Sequence, residues 1–121
     1  MKKHLRCFFI FFCIFNSSYS QTAPNLQWQN TIGGSSYDFL FSLKRTTDNG
    51  FILAGSSASD ISGDKTENTN GYDDYWIVKT DSLGNIQWQN TIGGNSDDEL
   101  YSIQQTADGG YILGGCSKSD N

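Results

Sequence analysis

Hydrophobic and polar residues alternate along most of the chain after position 20, with the two-residue period that is typical of β-strands. No 3.6-residue helical period occurs in that part of the chain. The alternation and the turn residues between runs predict an all-β fold. The predicted strands, named by letter, are A (Leu26–Ile32), B (Phe39–Thr46), C (Phe51–Gly55) and D (Tyr72–Thr80).

Turn residues separate these runs. Strand A ends at Gly33-Gly34, and Asp48-Asn49-Gly50 lies between strands B and C. Tight hairpin turns need positive φ angles, which Asn and Gly adopt most readily. The sequence therefore predicts a B–C hairpin. Simple alternation within strand B places Phe39, Phe41 and Leu43 on one side and Leu40 and Ser42 on the other.

The chain repeats itself. Residues 26–61 align without a gap on residues 86–121, at an offset of 60 positions, and 21 of the 36 pairs are identical. Identity over an ungapped window of that length indicates a tandem repeat. It predicts a second strand A over Ile86–Ile92 and a second hairpin around Asp108-Gly109-Gly110.

Four strands in a 60-residue period match a β-propeller blade, which is a four-stranded antiparallel sheet. A stacked β-solenoid or a small sandwich is the alternative. We take residues 26–85 as the first repeat and 86–121 as a partial second one. Because a closed propeller has about four to eight blades, we expect a fragment of a longer protein, or a product that associates with its own copies through open sheet edges.

Residues 1–20 have the three parts of a secretory signal peptide. Lys2, Lys3 and Arg6 precede the apolar run Cys7–Phe15, and small residues precede Gln21. A membrane anchor is the alternative, but its helix needs about 20 apolar residues. We expect cleavage after Ser20, a short linker over 21–25, and a secreted or cell-surface product with no membrane insertion.

Charge narrows the range of partners. The whole chain has a formal net charge of −5, and three of its 8 basic residues lie in the predicted leader. The exported part is therefore more acidic still. An acidic surface without a basic cluster repels phosphate groups, which argues against nucleic acid and anionic lipid as partners. We expect an extracellular ligand, either a glycan or a protein.

The exported part has no histidine, because His4 is the only one in the chain. This excludes Ser-His-Asp and Cys-His catalysis and a typical zinc site. Cys116 is the only cysteine outside the leader, so no internal disulfide can form. Since Cys116 takes the repeat position of Ser56, we predict a small, buried or half-buried side chain rather than a nucleophile.

Adjacent carboxylates were weighed as a glycosidase pair. The candidates are Asp73/Asp74 and Asp97/Asp98/Glu99. Neighbouring residues on a strand point to opposite faces, so neither run forms such a pair by itself. Only Asp98 recurs in the other repeat, as Asp38, where a turn or strand-flanking role is the simpler interpretation. We therefore predict no catalytic residue and no enzyme.

The polar segment between strands C and D is rich in oxygen ligands suited to calcium. Its spacing does not fit an EF-hand loop. A solvated acidic loop is the favoured interpretation, no other cofactor or metal is expected, and calcium is kept as the alternative on four residues: Asp60, Asp64, Asp73 and Asp74.

Trp28, Trp76 and Trp88 have two interpretations. Aromatic rings can stack on sugars, but Trp28 and Trp88 are equivalent repeat positions on a predicted strand. Large aromatic side chains at such positions usually fill the space between blades. We predict that these three residues pack in the protein and do not contact a ligand.

Three stretches, IQWQNTIGG, TADGGYILGG and DDYWIVKTDSLGN, carry a resemblance. They resemble the tandem repeats of secreted bacterial β-propeller-type proteins, especially those exported by type IX secretion. The resemblance implies many repeats, a C-terminal sorting domain and a surface or secreted location. Some family members are associated with polysaccharide degradation.

We therefore expect a non-enzymatic, exported β-propeller-type repeat protein, probably best described as a fragment of a longer one, that serves surface display, adhesion or binding. The alternative is an accessory region of a secreted polysaccharide-degrading enzyme.

Overall fold

The computed structural model describes residues 23–120, and all regular structure in that range is β-strand. The predicted signal peptide and the first two residues of the predicted linker lie outside the described residues. The strands are β1 (Asp38–Arg45), β2 (Phe51–Ser57), β3 (Asp74–Thr80), β4 (Ile86–Ile92), β5 (Asp98–Gln105) and β6 (Tyr111–Ser117). The prediction of an all-β fold is confirmed.

Strands β1 to β4 form one antiparallel sheet in chain order. Two tight turns connect neighbouring strands, and each has a residue with positive φ, Asn49 at 68° and Gly84 at 84°. The longer connection, over residues 58–73, joins β2 to β3 and contains the isolated bridge between Ser62 and Lys65. The sheet thus joins strands B, C and D of one repeat to strand A of the next.

Strands β5 and β6 form a second sheet that repeats the β1–β2 hairpin. Phe51 faces Arg45 in the first hairpin, and Tyr111 faces Gln105 in the second. Gly109, with φ of 89°, takes the turn position of Asn49. Strands B and C are therefore confirmed in both repeats, with ends that differ by at most two residues from those predicted.

Each hairpin has a β-bulge at the same place, between Leu40 and Ser42 and between Leu100 and Ser102. A bulge inserts one unpaired residue and reverses the alternation beyond it. The prediction that Phe39, Phe41 and Leu43 share one side is therefore wrong. The extra residue instead brings side chains three positions apart, such as Leu100 and Ile103, onto one face.

The first copy of strand A is the second correction. Leu26–Ile32 has no strand assignment, whereas Ile86–Ile92 forms β4. Strand β4 pairs along its length with β3. Within residues 23–120 no strand lies beside the first copy, so its backbone has no ladder to join. The alternation was read correctly, but a strand also needs a neighbour.

The hydrophobic core lies between the two sheets. Ile52 and Ala54 of β2 and Ile77 of β3 pack against Leu100 and Ile103 of β5. Burial of each Ile or Leu side chain stabilises the folded state by about 2 kcal/mol. This contact fixes the second hairpin on one face of the first sheet and so positions the surface described next.

Candidate functional site

A row of four exposed aromatic rings runs along β1 and across to β5. Ring centroids are 6.3 Å apart between Tyr37 and Phe39, 6.0 Å between Phe39 and Phe41, and 5.6 Å between Phe41 and Tyr101. All four side chains are exposed. We name this set the aromatic row. A contiguous exposed apolar surface of this kind marks a binding site more often than isolated apolar residues do.

The bulges create the row. In each hairpin the ladder passes from the residue before the bulge to the residue after it, which leaves Phe41 and Tyr101 without a partner across the hairpin. Because the two sheets stack, these unpaired positions meet edge to face, with ring planes at 62°. Sequence reasoning missed the row because alternation gives no sign of a bulge. Aromatic residues at the equivalent positions 41 and 101 were the available signal.

Two carboxylates flank the aromatic row. Asp73 and Glu99 line one surface depression together with Phe39, Phe41 and Ser56. The Glu99 carboxylate accepts a hydrogen bond from the Tyr101 hydroxyl. Asp73 Oδ1 is buried without a hydrogen-bond partner in the described structure. The depression therefore combines apolar rings with hydrogen-bond acceptors, which suits a ligand that has both apolar faces and hydroxyl or amide donors.

The environment also affects the charge of Asp73. Burial raises the pKa of its carboxyl group, and the negative charges of Asp97, Glu99 and Asp74 raise it further. Hydrogen bonding to Glu99 and to Cys116 raises the pKa of the Tyr101 hydroxyl. The Tyr101 hydroxyl therefore remains a donor over the physiological range.

Asp38 and Asp98 have matching structural roles. Asp38 accepts hydrogen bonds from Gly34 N at 2.7 Å and from the Ser57 hydroxyl at 2.6 Å. Asp98 accepts one from Gly94 N, also at 2.7 Å. Each carboxylate therefore holds the Gly-Gly turn against the end of its hairpin. The geometry agrees with a strand-flanking role.

The same contacts set the charge of Asp98. Burial raises its pKa, but hydrogen bonds from the Ser117 hydroxyl, Gly94 N and the Ser119 hydroxyl outweigh burial and hold the pKa below its usual value. Such a carboxylate stays ionised and is a poor proton donor.

The four carboxylates considered for calcium have separate partners. Asp60 accepts from the Thr69 hydroxyl, Asp64 from Gly33 N, and Asp74 from Asn70 N. Residues 23–120 contain no group of three or more His, Cys, Asp or Glu side chains placed to hold a metal ion. The calcium alternative stays a prediction without a geometric site in this region.

Lys65 is the unexpected member of the same connection. Its side chain is buried, and its Nζ lies 5.9 Å from the centroid of the Trp76 ring with no hydrogen-bond partner in the described structure. Burial lowers the pKa of the Lys65 ammonium group, while the charges of Asp38 and Asp74 oppose that change. These contacts tie the connection to the sheet.

The tryptophans pack against other parts of the protein. Trp76 is buried, and its Nε1 donates to Gln89 Oε1 at 3.0 Å. Trp28 meets the ring of Phe51 edge to face at 6.0 Å, and Trp88 meets Tyr111 in the same way at 5.7 Å. These contacts agree with the packing role that the sequence predicts.

Cys116 is exposed, so the prediction of a buried or half-buried side chain is wrong. Its repeat counterpart Ser56 is buried because β5 packs over it, and the Ser56 hydroxyl accepts a hydrogen bond from Leu100 N at 3.3 Å. In the described part of the chain no further hairpin covers β6. The repeat position alone therefore did not determine burial.

Comparisons with family models, curated proteins and solved structures gave no match to this chain. No helix in residues 23–120 is long and apolar enough to cross a membrane. The aromatic row and its two carboxylates are thus the candidate site on geometric grounds.

Proposed function

We propose that this chain is part of an exported, non-enzymatic repeat protein whose β-propeller-type blades display a binding surface to the outside of the cell. The observation that carries the proposal is the recurrence of one hairpin, with the same bulge and register, in two sheets stacked face to face. Stacked four-stranded antiparallel sheets are the unit of a propeller. Rigid repeats of this kind commonly position variable surfaces for binding.

The aromatic row supports binding as the role of the displayed surface. Its rings lie on a strand and are fixed by the sheets, so little conformational entropy is lost when a ligand covers them. The flanking Asp73 and Glu99 provide acceptors for a ligand's donors. The acidic charge of the chain suits a neutral or basic ligand rather than a polyanion.

Export is tested by expressing the full chain in a Gram-negative bacterium and sequencing the N-terminus of the product outside the cytoplasm. We expect the product to begin at Gln21. The control variant Ile10→Asp interrupts the apolar run of the leader, and we expect it to leave uncleaved protein in the cytoplasm. Uncleaved wild-type protein in the cytoplasm would contradict the proposal.

Binding is tested with the exported product in native gels that contain soluble xylan, starch or mixed-linkage glucan, and in sedimentation with whole bacterial cells. Phe41→Ala removes the central ring of the row, whereas the control Leu83→Ala removes an exposed apolar side chain from a distant turn. We expect retention to fall at least tenfold in Phe41→Ala and to stay unchanged in Leu83→Ala. Equal loss in both variants would exclude the row as the binding surface.

The second candidate function is an accessory region of a secreted polysaccharide-degrading enzyme. The juxtaposition of aromatic rings with Asp73 and Glu99 favours it, since carbohydrate ligands combine apolar ring faces with hydroxyl groups. Retention on a polysaccharide but not on cells would support this alternative. Hydrolysis of the polysaccharide that is lost in Asp98→Asn would instead support an enzyme.

A further inference from the structure

Two equivalent faces of the repeat have opposite surroundings. Leu40 and Leu43 of β1 are 56% and 52% exposed, whereas their counterparts Leu100 and Ile103 of β5 are 0% and 2% exposed. The β5 pair is covered by the first sheet. The β1 pair is covered by nothing in residues 23–120. We name the surface around Leu40, Leu43 and Leu53 the front face.

The opposite end of the described structure has the complementary surface. Ile112 of β6 is 63% exposed, whereas its counterpart Ile52 of β2 is fully buried against β5. Gly114 and Cys116 take the places of the buried Ala54 and Ser56. We name the surface of Ile112, Gly114 and Cys116 the rear face.

The contact between the two sheets shows how a rear face fits a front face. Ile52 and Ala54 lie against Leu100 and Ile103. Polar contacts at the border fix the alignment, because Thr47 N donates to Gln105 Oε1 at 3.0 Å and Leu100 N donates to Ser56 Oγ at 3.3 Å. One chain therefore already contains this pairing once.

The front face has space for an apolar side chain. A cavity of about 170 Å³ lies beside Leu40, Leu53 and Val78, and Ile32 closes one side of it. A cavity of about 150 Å³ accepts a benzene-sized group. An isoleucine side chain from another molecule fits that space.

We propose that the rear face of one copy of this chain docks on the front face of a second copy, with Ile112 placed between Leu40 and Leu43 as Ile52 is placed against Leu100 and Ile103. The contact is heterologous, so copies add in one direction and form a ring or a filament. The inference rests on the repeat and does not depend on the display function proposed above.

Charge favours the same alignment. Arg45 is the repeat counterpart of Gln105, whose side chain reaches the turn of the first hairpin. In the docked pair Arg45 of one copy therefore approaches the Ala107–Asp108 turn of the other. Asp48 pairs with Lys79 at 2.8 Å, whereas Asp108 has no lysine or arginine partner in the described structure. An arginine from a second copy supplies the missing positive charge.

The test is sedimentation velocity of the exported product over a hundredfold range of concentration. Leu43→Asp places a charge on the front face, and Ile112→Asp places one on the rear face. Both positions are exposed in a single copy, so each variant keeps the wild-type circular dichroism spectrum. We expect the wild type to associate and each variant alone to remain a monomer.

Mixing the two variants distinguishes the proposed contact from others. Leu43→Asp retains an intact rear face and Ile112→Asp retains an intact front face, so an equimolar mixture forms dimers that cannot grow. A monomeric mixture, or a wild type that stays monomeric throughout, overturns the proposal. Self-association of either variant alone also overturns it, because that result requires a front–front, rear–rear or edge contact. Leu83→Asp, in the turn between β3 and β4, is the control and associates as the wild type does.

If either aspartate variant loses its fold, Leu43→Ser and Ile112→Ser repeat the test with a smaller change. The expected result is then at least a tenfold weaker association for each variant alone, with dimers recovered in the mixture.

Discussion

Two segments of this chain have the same sequence and different backbone structures. Residues 27–34 and 87–94 are identical, yet only the second segment contains a strand, β4. Their tryptophans nevertheless make the same contact, since Trp28 and Trp88 meet the first ring of the next strand C at angles of 62° and 63°. The two rings are also equally exposed, at 41% each.

The difference between the two segments lies in the backbone partner. Strand β4 pairs with β3, from Tyr75 opposite Ile92 to Thr80 opposite Ile86. Local sequence thus determines where the tryptophan anchors, while a neighbouring strand determines whether the backbone joins a sheet. If this explanation is correct, identical substitutions in the two segments have effects that differ according to the contacts of β3.

The largest difference is expected for proline at Asn90 and Asn30. Thr91 N points away from β3, to Glu67, and neighbouring residues of an antiparallel strand direct their N–H groups to opposite sides. Asn90 N–H therefore points to β3. Asn90→Pro removes a ladder hydrogen bond and places a ring in the sheet, so we expect a loss of about 3 kcal/mol in the free energy of unfolding.

Asn30→Pro is the matched control. It removes one hydrogen bond, from Asn30 Nδ2 to Gly84 O at 3.2 Å, and we expect it to cost about 1 kcal/mol. Urea denaturation followed by circular dichroism measures both. Equal losses would show that the first segment is also paired in solution.

A smaller difference is expected for Gln89 and Gln29. Gln89 Oε1 accepts from Trp76 Nε1 and Thr66 N, and its Nε2 donates to the Asp64 carbonyl at 2.7 Å. Gln89→Ala leaves these buried and half-buried groups unpaired, with an expected loss of about 2 kcal/mol. None of these partners contacts Gln29, so Gln29→Ala is expected to change stability by less than about 0.5 kcal/mol. A loss in Gln29→Ala as large as in Gln89→Ala would contradict the explanation.

The acid response of two turns extends the comparison to another pair of repeat positions. The Lys79 ammonium group, supplied by β3, holds the pKa of Asp48 far below its usual range, with help from the Thr46 hydroxyl. Hydrogen bonds from Thr106 and Gly110 also lower the pKa of Asp108, but no lysine contributes there. We expect Asp48 to titrate at a lower pH than Asp108 in carboxyl-detected NMR.

The consequence for stability has a defined sign. A carboxyl group whose pKa is lowered on folding stabilises the protein above its unfolded pKa, about 4, and this contribution is lost as the pH falls through the folded pKa. Asp48→Asn should therefore destabilise the protein more than Asp108→Asn at neutral pH. The two variants should converge as the solution is acidified. A gap that persists at low pH would show that it does not arise from charge.

The same dependence on neighbours explains how much of the fold the sequence predicts. Strands B, C and D and the second strand A are found where alternation and turn residues place them. The unpaired state of Leu26–Ile32 and the exposure of Cys116 could not be predicted, because both depend on which elements lie beside them. Local pattern is identical or similar in the two repeats, and the surroundings are not.

The bulges and the aromatic row were missed for a more local reason. A bulge adds one residue without requiring a glycine or a proline, and here the added residues are Phe41 and Tyr101. Simple alternation therefore assigned Leu40 and Leu43 to opposite sides, although their counterparts Leu100 and Ile103 share one core. Comparison of aromatic positions between repeats, rather than alternation within one, would have identified the row.

The smallest difference is expected for the two tryptophans. Trp28→Ala and Trp88→Ala each remove an edge-to-face contact and part of a large apolar surface, so each is expected to cost about 2 kcal/mol. The two losses should agree within about 0.5 kcal/mol, because exposure and ring geometry are nearly the same in both copies. Urea denaturation followed by far-ultraviolet circular dichroism avoids the loss of tryptophan fluorescence in the variants. A much smaller loss in Trp28→Ala would mean that the anchor also depends on backbone pairing, and the separation of side-chain anchoring from strand formation would then be wrong.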